Sequence, residues 1–301
     1  MNCTGKTKRA SVPPVLAQAV VDFLRHDALV LEPRVWWPKP ALADLEKVLP
    51  GALDRYESGQ PKMVIPKRLR AQEGRVLCMY GDAGWGTEVA RGKYQTGLFS
   101  DALVKAAAEL IQGKWKPEPP PQWVTAIPSQ RHAELVRDFA ERLAASMGLP
   151  FVPALRQLHE AQPQKEMRCS SLQLRNVLRA FEVVEAPALA RLFHTPSETP
   201  TGGEVGRAVP CEPLTSPRRA EDCAPYQPRG VSGVAGMFQR LAQRVGAGFG
   251  NGPTLPPVPV LLVDDMVDSG WTLTLAAVLL QHHGSGPVYP FALAKASPRG
   301  S

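Results

Sequence analysis

Val260-Leu-Leu-Val-Asp-Asp-Met-Val-Asp-Ser-Gly-Trp-Thr-Leu273 is the stretch on which the fold of this chain turns. The apolar run Val258 to Val263 is rich in β-branched residues and follows two prolines, which predicts a central, fully buried parallel strand. Asp264 and Asp265 then project at its carboxyl end, where open α/β sheets hold their ligands. Ser269, Gly270 and Thr272 follow with hydroxyls, a glycine for close backbone approach and the free N–H groups of a helix start. Together they form an anion cradle. The plainer reading is a strand-turn-helix with an Asp or Ser N-cap.

Working outward, helix Thr272 to His282 and strand Val288 to Ala294 follow this loop. Upstream, Trp123 to Ile127 reads as a strand and Pro128-Ser-Gln-Arg131 as the loop at its carboxyl end. Glu134 to Met147 carries Leu135, Phe139 and Leu143 at four-residue steps and is closed by Gly148, as a helix should be. Leu149 to Val152 opens the next extended segment. The predicted class is therefore α/β, a doubly wound and mainly parallel sheet. Phe99 to Ile111 is an amphipathic helix and Val76 to Tyr80 a strand, with Gly81-Asp-Ala-Gly-Trp-Gly86 as a tight turn. Residues 1–75 form an N-terminal α-rich extension. It has a helix over Val12 to Asp27, an extended surface segment over Leu31 to Pro38, and a basic stretch over Lys62 to Arg75. Residues 76–183 hold the first part of the sheet domain and 257–301 its last part. Between them, residues 184–256 contain ten prolines and ten glycines, which predicts a disordered insertion.

The net charge of +7 and pI near 9.3 suit phosphate ligands or nucleic acid. The basic Lys62 to Arg75 stretch is a solvated face or a nucleic-acid backbone contact. Five scattered cysteines argue against a disulfide framework and for a reducing compartment. With no apolar run near the length of a membrane span and no secretory leader, a soluble cytoplasmic protein is expected. Nothing in the residues sets an oligomeric state.

The acid pair, three-residue spacing and Ser-Gly-x-Thr resemble the phosphoribosyl-diphosphate (PRPP) motif of type I phosphoribosyltransferases. The resemblance implies that Asp264 and Asp265 hold the ribose hydroxyls and that Asp268, Ser269, Gly270, Trp271 and Thr272 wrap the 5-phosphate. Asp268 also falls where purine-using members keep a general base. Lys93-Tyr94, Pro128-Ser-Gln-Arg131, Gln164 and Arg175-Asn176 through Ala180-Phe181 resemble the ComF-like branch. There the loop after the first strand binds pyrophosphate, which assigns that role to Ser129, Gln130 and Arg131. Glu32-Pro-Arg34, Gly81-Asp-Ala-Gly-Trp-Gly86, Pro163-Gln-Lys-Glu-Met167 and the PRPP-like loop also resemble the C-terminal extension of certain bacterial RecQ-family DNA helicases.

The resemblance implies a protein that binds PRPP or a nucleotide, with Mg2+ brought by PRPP and no resident metal. Transfer of phosphoribose to an acceptor is then one expectation. A non-catalytic nucleotide-binding module is a second, and a DNA-repair or DNA-uptake accessory with a DNA or helicase partner is a third. The helicase motor itself is excluded, since the sequence has no Gly-x-x-x-x-Gly-Lys-Ser/Thr loop.

Overall fold

The computed structural model describes residues 13–26, 28–129, 133–159, 167, 169–184 and 255–296, within a unit made of residues 1–189 and 251–301. The expected 184–256 insertion lies outside the described residues except at its two ends. The fold is mixed α/β with a mostly parallel central sheet. Its strands are β1 (Leu29–Leu31), β2 (Gly74–Met79), β3 (Trp123–Ala126), β6 (Val260–Val267) and β7 (Val288–Lys295), in the order β1-β2-β7-β6-β3. All neighbours run parallel except β1, which pairs antiparallel with β2 at the edge. A separate antiparallel pair joins β4 (Leu155–Gln157) to β5 (Phe181–Val183).

Strands β6 and β7 are buried almost end to end, as expected of central parallel strands covered on both faces. Leu261 and Val263 face a cluster with α4 (Asp101–Glu109) and α5 (Ala133–Met147), around Phe99, Leu103, Phe139 and Leu143. The alternate residues Val260 and Leu262 face the other way. On that side α7 (Trp271–His282) packs against β6, β7 and α6 (Ser170–Val177). α7 is apolar nearly all round, which fits a helix enclosed on several sides.

After β3 the chain runs through α5 to Phe151, which bridges in parallel to Val124 on β3's outer side. After β6 it runs through α7 to β7, on the opposite side. The connections thus diverge between β3 and β6, and such a switch point opens a crevice at the strands' carboxyl ends.

Two expectations need correction. The strand carrying the acid pair does not stop at Val263 but continues to Val267, because β7 keeps offering ladder partners (Asp264↔Ala292, Met266↔Ala294, Val267↔Lys295). The segment Leu31 to Pro38 is not simply an extended surface stretch. Its start belongs to edge strand β1, and Trp37 is 2% exposed in the core. Helix α1 (Pro14–His26) forms where expected, yet its apolar stripe is not buried: Leu16, Val20 and Phe23 remain exposed. Its end is tied down by Trp85 Nε1 and Lys114 Nζ, which donate to the carbonyls of Arg25 and His26.

Candidate functional site

Asp264 and Asp265 are both 8% exposed. Lying in a strand, they point to opposite faces of the sheet. Asp265 shares the face of Leu261 and Val263, where Lys93 Nζ meets its Oδ2 at 2.8 Å. Lys93 comes from Gly92–Thr96, a π-helical turn that follows α3 (Gly86–Arg91). Gly92 is needed there, since a Cβ would stand 2.6 Å from the Phe99 ring.

Among the described residues Asp264 forms no ion pair of its own. Its Oδ1 accepts the Asp265 N–H at 2.8 Å. Burial first, and the neighbouring Asp265 charge second, push its carboxyl well above the usual carboxylate range, against backbone N–H groups and Lys93, which pull it down. Lys93 feels the reverse balance. Burial works to lower its pKa, but the charge and hydrogen bond of Asp265, with smaller help from Tyr94 and Asp264, leave it above the ordinary 10.5.

The loop Asp268–Gly270 leads into α7. Gly270 sits at its N-cap with φ +77°, a left-handed conformation that glycine adopts at little cost. Thr274 closes the first turn, its Oγ1 and N–H both donating to the Gly270 carbonyl at 2.9 and 3.0 Å. The amides of the first helical turn have no partner within the helix, which is the property that suits such a bend to anions. Replacing Gly270 by alanine is expected to cost about 1 kcal/mol, because a Cβ there strains the backbone, and asparagine should cost less. Urea midpoints at unchanged slope measure both.

Asp268 is exposed, while Ser269 and Thr272 are half-buried. Trp271 is 1% exposed, so only its backbone can face a ligand, and its amide approaches Ser269 Oγ at 3.4 Å. Ser129 is half-buried just beyond β3, on the other side of the switch point. Gln130 and Arg131 lie outside the described residues, as does Gln164.

Three side chains with no role legible in the sequence stand at the site. Arg34 donates to the Ser269 carbonyl from Nε at 3.1 Å and from Nη2, and lies 4.3 Å over the Trp271 ring. Trp37 stacks parallel to Trp271 at 6.3 Å. Lys93 is the third. The only signals were the short motifs Glu32-Pro-Arg34 and Lys93-Tyr94, which say nothing of contact with residues far along the chain. A cleft of about 360 Å³ opens beside the loop, lined by Glu32, Arg34, Gln72, Asp268, Ser269 and Lys295, among others.

The basic stretch Lys62 to Arg75 is largely engaged within the molecule. Arg68 pairs with Asp54 at 2.6 Å, Arg70 donates to the Ile65 carbonyl, Arg75 pairs with Glu73, and Lys62 lies over the Tyr56 ring. No helix among the described residues is long and apolar enough to cross a membrane. Models of known protein families yield no match to this chain, and neither do curated proteins.

Proposed function

We propose that this chain binds PRPP, or a nucleotide with the same phosphoribosyl group, as a phosphoribosyltransferase-like protein of the ComF type. One observation carries it. A buried acid pair on β6 lies one short loop before a Gly270-capped helix start, at the point where the connections of β3 and β6 diverge. An acid pair accepts hydroxyl hydrogens, and the amides beyond Gly270 accept a phosphate. A sugar phosphate presents both groups about one sugar ring apart. Asp265 Oδ2 stays on Lys93, and its Oδ1 is proposed to accept from a ribose hydroxyl. The doubly wound, phosphoribosyltransferase-type topology belongs to this proposal, as does a diphosphate contact from Ser129 with Gln130 and Arg131.

If the protein transfers phosphoribose, the bond from ribose C1 to the diphosphate oxygen breaks and a bond from C1 to the acceptor forms. The acceptor's proton goes to Asp268, exposed at the rim of the cleft. Among the described residues no group of three or more His, Cys, Asp or Glu side chains could hold a metal ion. Magnesium is proposed to travel on the diphosphate, whose charge it would neutralise when bound.

Calorimetric titration with PRPP, with and without magnesium, tests the proposal. Saturable binding that strengthens with magnesium is expected, and no heat under either condition would sink it. Mixing PRPP and magnesium with a panel of bases and amines then distinguishes a transferase, which releases pyrophosphate, from a module that only binds.

A further inference from the structure

The phosphate loop does not fold alone. Its Ser269 carbonyl is held by a side chain 235 residues away, the Arg34 guanidinium, through both Nε and Nη2. Two donors of one rigid fork on a single oxygen fix the direction of the C=O bond as well as its distance. The peptide unit is planar and trans, so its C=O and N–H point opposite ways. With the Ser269 carbonyl turned to Arg34, the Gly270 N–H must point away from Arg34.

Something has to hold that plane, because residue 270 is a glycine at φ +77° and glycine lets the preceding peptide turn over at little cost. A turned peptide would put a carbonyl oxygen where an anion needs a donor. Arg34 is itself well anchored. It lies 4.3 Å over the Trp271 ring, and Trp271 is stacked at 12° on Trp37, both rings being almost fully buried. The clamp thus joins the N-terminal segment around Glu32 to Trp37 to the first residue of α7.

From this we infer that Arg34 is the positioning residue of the phosphate loop, setting the Ser269–Gly270 peptide so that the Gly270 amide is presented to a phosphoryl group. The inference rests on the phosphoribosyl reading above and adds to it a role for the N-terminal segment. Lysine at position 34 keeps the charge but loses both the fork and the flat contact with Trp271, so charge alone does not rescue the function.

The test compares wild type, Arg34→Lys and Arg34→Gln in the full chain. PRPP, ribose 5-phosphate and inorganic pyrophosphate are titrated in turn, and exchange at the amides of residues 269–273 is followed without ligand. Both variants are expected to bind PRPP and ribose 5-phosphate about tenfold more weakly. Their pyrophosphate affinity should hold, and exchange at Gly270 and Trp271 should quicken. Unchanged affinity for the two 5-phosphates, or an equal loss for all three ligands, overturns the inference. If the wild type itself binds no 5-phosphate, the phosphoribosyl reading fails and the exchange data decide the clamp. Equal rates in wild type and variants overturn it, and faster rates in the variants support it. Should Arg34→Gln not fold, Arg34→Lys carries the comparison.

Discussion

Replacing Lys93 by methionine is expected to cost about 3–5 kcal/mol of stability, the usual penalty for removing one partner of a buried ion pair. The size follows from where the pair lies. The side chains of Lys93 and Asp265 are only 15% and 11% exposed, and no other cation approaches Asp265 among the described residues. Without Lys93, two adjacent buried carboxylates are left without a nearby ammonium. Asp265→Asn should be costly for the mirror reason, since it strands a buried ammonium. The double variant Lys93→Met with Asp265→Asn should therefore lose less than the sum of the two, by about 1 kcal/mol or more. Urea denaturation of the four proteins closes the cycle, and strict additivity would show that the pair does not hold π-helical Gly92–Thr96 to β6. The pH dependence has a definite sign. Lys93 is raised above 10.5, so its contribution is fully present below 10.5 and fades as the pH climbs through the raised value.

The part of this site that could be read from sequence is the part that is contiguous. The run Val260 to Leu273 carries its own strand pattern, turn and helix start, and β6 and α7 appear within a few residues of expectation, with Gly270 and not an aspartate or serine at the N-cap. The same holds for β3 and α5, whose four-residue spacing of Leu135, Phe139 and Leu143 is a local signal. The strand boundary was misjudged because two aspartates are poor strand formers in isolation. Here the ladder to β7, the Lys93 ammonium and the backbone N–H groups at Asp264 outweigh that preference. Strands β4 and β5 have three residues each, too few for a periodic pattern to rise above noise. Arg34, Trp37 and Lys93 could not be assigned roles, because what makes them matter is contact across the fold. Helix α1 is legible in its apolar period, but periodicity does not say what covers that face, and Leu16, Val20 and Phe23 are exposed.

The two carboxylates are thus unequal, and the difference has a chemical use. Asp265 is neutralised by Lys93 and stays ready to accept from a hydroxyl. Asp264 pairs with no cation among the described residues and is stabilised in its buried position by backbone N–H groups and, at longer range, by Lys93. A ligand that donates hydroxyl hydrogens to Asp264 would stabilise its charge, so binding energy would be drawn from relief of a carboxylate that burial destabilises. Sites of this type commonly trade stability for function.

Asp264→Asn should accordingly move stability and affinity in opposite directions. Asparagine has nearly the same shape and keeps an oxygen for the Asp265 N–H, but removes the charge that burial penalises. Because burial raises the folded-state pKa of Asp264 above the ordinary 3.8, the wild type is favoured by this group below 3.8 and loses that favour as the pH rises toward the elevated value. The variant is therefore expected to melt at a higher temperature than wild type at neutral pH, and the gap should close on acidification below the ordinary carboxylate range. Its affinity for PRPP should fall by about 100-fold, the equivalent of losing one or two hydrogen bonds to an ionised acceptor. Thermal melts between pH 3 and pH 8, paired with PRPP titrations at neutral pH, read both effects on one protein. A variant that is less stable at neutral pH would mean that the Asp264 charge is satisfied in the fold. A variant that is more stable yet binds PRPP as wild type does would take Asp264 off the ribose.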